Sequence, residues 1–345
     1  MSDFAAESHR EHEAQFSRLV RYLLRLVEES EARRSQAWKR DFSSLEAYER
    51  SVEPNRERLC QMLGVPSASV GMSLREEALP ACGPHQASRI WLSGMDGVET
   101  YGIVLRPPGE GPFRAVIAQH GLSGSPELVC GLVEPPECHR HFGRTLADRG
   151  YLVFAPLVIN NTVQRVWLDR LAMTVGHRLV GLEMLKIKQA VSYLQGRDDV
   201  RADRVAIYGL SQGGLTALFA AAVEPRLAAS VCSAYFNQRT HKLVALSEHY
   251  TAYICTDEHD KFLINQLNEF SDSDVASLVC PRPFFVEAGT QDPSIWLPEA
   301  QAEFAKIREI YEKLGIPERV EMEVFEGDHR INAEGSLRFL DRWLR

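Results

Sequence analysis

Apolar positions recur at helical spacing in the first part of the chain and as short runs after it. Phe16, Leu19, Val20, Leu23 and Val27 stand at i, i+3, i+4, i+7 and i+11, one face of a helix. Phe42, Leu45, Tyr48 and Val52 mark a second helix, which Pro54 interrupts; Leu59, Met62 and Leu63 mark a third that stops at Gly64. Residues 1–85 therefore read as a helical N-terminal extension. Such a stripe packs on its own domain or on a sister subunit, and a homodimer through these helices is the expectation. Its polar side mixes Arg and Glu and is not a basic membrane-binding face.

From Arg89 the period changes. Residues 89–92 and 98–105 read as strands flanking the hairpin signal Met95-Asp96-Gly97, and 106–112 is a loop by its Pro and Gly content. Strands are predicted at 115–119, 151–155, 204–208, 228–232, 283–287 and 320–325. Helices are predicted near 141–148, 180–194, 215–223, 299–313 and 332–344. This alternation over residues 86–345 implies one catalytic α/β domain with a largely parallel sheet covered on both faces. Residues 155–181 and 235–279 break the rhythm as insertions. The second mixes Tyr235, Phe236, Tyr250, Tyr253 and Phe262 with His241, His249, Asp257 and Glu258. It reads as a cap or pocket wall near the active site, the alternative being a structural insertion away from it.

Composition narrows the class. The 45% hydrophobic and 25% charged content is that of a globular protein, and the net charge of −8 argues against a nucleic-acid binder. No stretch approaches the ~18 uninterrupted apolar residues of a membrane helix. The first ten residues lack a signal-peptide core, so a cytoplasmic location is expected. The seven cysteines are scattered without framework spacing, as for reduced thiols. Cys130, Cys138, His139 and His141 invite a zinc reading, yet their spacing matches no ligand pairing, so no metal is expected. Cys130 and Cys138 could instead line the pocket.

The chemistry centres on Gly209-Leu210-Ser211-Gln212-Gly213, placed between a predicted strand and a predicted helix. That is the context of a nucleophile elbow, where the serine sits on a sharp turn and its neighbours must lack bulk. Serine needs a base within reach. Gly289-Thr290-Gln291-Asp292-Pro293 puts a carboxylate in the loop after one later strand, and Gly327-Asp328-His329 an imidazole after the next. In this order Ser211 is the candidate nucleophile, His329 the base and Asp292 the orienting acid. Asp328 adjoins the histidine and Glu287 lies within a strand, so both are poorer candidates for the acid. An oxyanion hole is expected from the backbone N–H groups of Gln212 and Leu122, the latter in the loop His120-Gly121-Leu122-Ser123-Gly124-Ser125. His120 reads as a residue that holds this loop rather than as a second base.

These residues resemble the α/β-hydrolase superfamily, and within it dienelactone-hydrolase-like and acetyl-xylan-esterase-like proteins. The motifs that carry the resemblance are His120-Gly121 with Ser123-Gly124, Leu146-Ala147-Asp148-Arg149-Gly150-Tyr151, Gly209 through Gly214, Gly289-Thr290-Gln291-Asp292 and Gly327-Asp328-His329. The resemblance covers about residues 89–345. It implies a mostly parallel, eight-stranded sheet flanked by helices, and cofactor-free hydrolysis through an acyl-enzyme. Dienelactone hydrolases proper use a cysteine nucleophile, whereas position 211 is serine, which favours carboxylic esters over lactones. The leading expectation is an esterase acting on a small or medium ester, such as an acetylated sugar. A prolyl-oligopeptidase-like peptidase shares the motif order but carries a propeller, for which ~85 helical residues are too few. A non-catalytic binding protein on the same fold is the third reading, and such proteins commonly lose a triad member.

Overall fold

The computed structural model describes residues 2–66, 73–95, 97–134 and 138–345; residues 67–72 of the expected helical extension and Asp96 of the expected hairpin turn lie outside them. Three helices come first: α1 (Ser2–Glu28), α2 (Ser30–Ala37) and α3 (Leu45–Leu63). The expected stripe on α1 is left largely uncovered within the chain, with Phe16, Leu19 and Leu23 exposed. The two helices expected on either side of Pro54 are one. Pro54 lies inside α3, and the buried face runs on through Tyr48, Val52, Leu59 and Leu63. Packing of that stripe against the domain outweighs the ~3 kcal/mol a helix-interior proline costs. Ser44 caps the start of α3 and Gly64 closes it in the left-handed conformation (φ 60°).

The helical reading stops earlier than expected. Ser73–Cys82 is a strand, β1, within the stretch read as extension, and it pairs antiparallel with β2 (His85–Met95). The sheet accordingly has nine strands rather than eight. β1 is an edge strand, exposed at eight of its ten positions, so it lacks the buried alternation that would mark it. β3 (Val98–Arg106) completes the antiparallel meander.

Beyond it the sheet is parallel, apart from the antiparallel junction of β3 with β5. In chain order follow β4 (Phe113–Gln119), the short α4 (Pro126–Val129), α5 (Phe142–Asp148), β5 (Leu152–Pro156), α6 (Thr162–Met173) and α7 (Leu179–Gln195). Then come β6 (Val200–Leu210), α8 (Gln212–Val223), β7 (Ala229–Ser233), α9 (Arg239–Val244), α10 (Gln266–Glu269) and α11 (Asp272–Ser277). β8 (Phe284–Gly289), α12 (Leu297–Lys313), β9 (Val320–Phe325) and α13 (Glu334–Trp343) end the chain. The strand order is β1-β2-β3-β5-β4-β6-β7-β8-β9. β6 is thus central among the parallel strands, with β8 and β9 on one side of it.

Strand side chains alternate between two apolar layers. Val205 and Ile207 of β6 join the layer that includes α3, α7, α8 and α12, while Ala206, Tyr208 and Leu210 join that of α5 and α13. Because these strands run parallel, the C-terminal ends of β4, β6, β8 and β9 lie along one edge of the sheet. Polar loops gather there, as in open parallel sheets generally.

Candidate active site

Ser211 lies between β6 and α8 with φ 58° and ψ −115°, a region a non-glycine residue occupies at a cost of ~1–3 kcal/mol. The flanking glycines permit it. A Cβ on Gly209 would stand 2.0 Å from the carbonyl oxygen of Gly213, and one on Gly213 would stand 2.2 Å from that of Gln119. The Ser211 N–H donates to the Ser233 carbonyl at 2.9 Å, tying the turn to β7.

Asp292 and His329 come together as their loops predicted. His329 Nδ1 is 2.8 Å from Asp292 Oδ2, and the Asp292 side chain is wholly buried. Ser294, which the sequence did not single out, completes the pair. Its backbone N–H and its hydroxyl both donate to Asp292 Oδ1, at 2.8 and 2.6 Å, and its Oγ lies 3.2 Å from His329 Nδ1. The rival acids are elsewhere. Asp328 is exposed and bonded to Arg330. Glu287 is sealed in the core, where it accepts from Tyr208, Ser336 and the Ala333 N–H, and burial pushes its carboxyl up.

The loop after β4 is held by two histidines. His120 Nε2 accepts from the Val158 N–H at 3.3 Å, so its Nδ1–H donates to the Gly121 carbonyl at 2.8 Å. His139 Nε2 accepts from the Gly121 N–H at 3.1 Å, which leaves its Nδ1 beside Cys138 Sγ at 3.2 Å. Burial, helped by other cationic neighbours for His120 and by His329 for His139, lowers each imidazole to about 4. Both are therefore neutral at ordinary pH. His120 holds the loop as expected from sequence; His139, considered there only as part of a rejected zinc cluster, has its loop partner 18 residues away. Cys130 is buried away from the cavity, and neither it nor Cys138 lines it. Among the described residues no group of three or more His, Cys, Asp or Glu side chains is arranged to hold a metal.

Ser211 and His329 line one cavity of about 420 Å³ without a hydrogen bond between them; such contacts often tighten only with substrate bound. Leu122 and Gln212 line it too, at the two positions expected to supply oxyanion donors. The insertion 235–279 forms much of the remaining wall, through Tyr235, Lys242, Thr251, Tyr253, Glu258 and Lys261. Residues 155–181 contribute no lining side chain. They act from behind: Asn160 accepts from the Ser123 N–H and donates to the Gly124 carbonyl. Lys261 bonds the Gln212 side-chain oxygen and Asp260, fixing the residue that follows Ser211.

The fold is that of the α/β-hydrolases. Residues 109–277 match the model of the dienelactone hydrolase family, a span that includes Ser211 but ends before Asp292 and His329. It is 27% identical over 214 residues to "Putative hydrolase YtaP" of Bacillus subtilis (strain 168), covering 58% of this chain and 67% of the relative. The fold is that of a glucuronoyl esterase from Solibacter usitatus (TM-score 0.65, 14% identity, 85% of this chain and 93% of the other). It is also that of acetyl xylan esterase 1 from Thermoanaerobacterium sp. JW/SL YS485 (TM-score 0.54, 16% identity, 85% and 92%).

Proposed function

We propose that this protein is a serine esterase that cleaves a carboxylic ester of a small or medium substrate, such as an acetylated sugar. One observation carries the reading. A serine held at positive φ between two obligatory glycines shares a cavity with an imidazole whose Nδ1 is held by a buried carboxylate. The esterase names of the structural neighbours agree with it.

In this reaction His329 Nε2 takes the Ser211 hydroxyl proton as Oγ attacks the ester carbonyl carbon. Asp292 keeps the imidazole proton on Nδ1 and stabilises the imidazolium. The carbonyl oxygen, now an anion, takes the N–H groups of Leu122 and Gln212. Gln212 is the first residue of α8, where an amide N–H has no acceptor within the helix. His329 then gives its proton to the leaving alkoxide, and an acyl-serine remains. Water attacks that ester with His329 again as base, releasing the acid and free Ser211. The cavity volume suits a ligand of this size.

Turnover of p-nitrophenyl acetate by wild type and by Ser211→Ala tests the proposal. The variant is expected to retain less than about a thousandth of wild-type kcat. Undiminished turnover contradicts the assignment.

A further inference from the structure

The cavity above Ser211 contains a cation that ester hydrolysis does not use. Lys242 is on α9, is 5% exposed, and lines the cavity. Its ammonium donates one hydrogen bond, to the Thr251 carbonyl oxygen at 2.9 Å, and stands 4.9 and 5.0 Å from the ring centres of Tyr250 and Tyr253. An ammonium has three donors, so two are left for whatever fills the cavity. No carboxylate lies within salt-bridge distance of it among the described residues.

The neighbouring charges are otherwise committed. Arg239, on the same helix, makes two hydrogen bonds to Asp272. Lys261 is held by Asp260 at 3.0 Å, by Glu258 at 3.4 Å and by the Gln212 side chain. Asp292 belongs to His329 and Ser294. Burial, and then Arg239, lower Lys242 to about 8 against the opposing pull of Glu258 and Asp292. A buried ammonium with unused donors is costly unless an anion completes it. Tyr235 and Tyr253 also line the cavity, and neither hydroxyl has a protein partner among the described residues.

Resting on the esterase reading, we infer that Lys242 is an anion subsite and that the substrate is an ester bearing a free carboxylate. A single uncommitted positive charge on a flexible stem matches a monoanion, which a carboxylate supplies. The carboxylate oxygens take the two unused donors of Lys242. A role confined to anchoring Thr251 would instead affect every substrate alike.

The test uses two matched ester pairs, since the charge could sit on either side of the ester bond. One pair is p-nitrophenyl hemiglutarate and its analogue with isopropyl in place of the free carboxylate. The other is O-acetylglycolate and isobutyl acetate. In wild type, at least one pair is expected to favour the charged member by about tenfold or more in kcat/KM. Lys242→Met should bring that ratio below about twofold, and Lys242→Arg should keep most of it. Equal loss of both members in Lys242→Met, or a wild-type preference for the neutral member in both pairs, overturns the subsite. Should wild type hydrolyse none of the four, the esterase reading fails, and binding alone judges Lys242. Glutarate should then raise the Tm of wild type and not that of Lys242→Met; no rise in wild type overturns the inference. If the Met variant does not fold, Lys242→Gln replaces it in both assays.

Discussion

At the scale of single residues, the site depends on which carboxylate faces His329. Asp292 is buried and points its two oxygens at His329 and Ser294, whereas Asp328 is turned to solvent and Arg330. Asp292→Asn should therefore lower kcat by up to about four orders of magnitude, while Asp328→Asn stays within about twofold, measured on one p-nitrophenyl ester. Equal effects would contradict the assignment of roles. Ser294→Ala keeps the Ser294 N–H bond to Asp292 but loses the hydroxyl, so a fall in kcat of about tenfold with little change in KM is expected. Asp292 and His329 were legible in the sequence because each follows a recognisable strand, the buried apolar run of β8 and the alternating pattern of β9. Ser294, His139, Lys242 and Lys261 were not, because no local pattern marks a residue whose role is set by a partner distant in the chain.

At the scale of elements, the insertions are joined to the core by buried charge. Arg165 on α6 bonds Glu183 on α7, Asp260 in the 235–279 insertion and the Ile159 carbonyl, and all three side chains are nearly inaccessible. Asp260 in turn bonds Lys261, which bonds Gln212. Arg165→Met leaves the buried Glu183 without its partner and Asp260 with Lys261 alone, so a loss of about 3–5 kcal/mol in chemical denaturation is expected, with lowered kcat/KM. A variant as stable and active as wild type would show that this chain of contacts carries no weight. α3 offers the opposite sign. Pro54 is exposed within the helix, so Pro54→Ala restores an N–H donor without losing packing and should raise stability by about 1–3 kcal/mol. Sequence reasoning broke this helix at the proline because a local rule cannot weigh the buried stripe that spans it. β1 was missed for the converse reason, since an exposed, charged edge strand presents no apolar period at all.

At the scale of the whole molecule, the architecture was largely legible, because strands alternating with helices allow few arrangements besides a covered parallel sheet. The edge was not, and neither was the way the insertion closes over the site. The folded molecule also keeps two imidazoles neutral that the unfolded chain protonates near 6.5. His120 and His139 are held at about 4, chiefly by burial. Their contribution is complete above pH 6.5 and is lost as pH falls toward 4, by up to about 3 kcal/mol for each. Tm should thus drop between pH 7 and 4.5, and less steeply in His139→Gln than in wild type; parallel curves would contradict this.

The central claim is that Ser211 is the nucleophile activated by His329, and it is tested most directly by where a fluorophosphonate reacts. Peptide mass mapping of the labelled wild-type protein should place a single adduct on Ser211, with labelling slowed at least about a hundredfold in His329→Ala. An adduct on another residue, or none on a protein that still hydrolyses esters, would contradict the account.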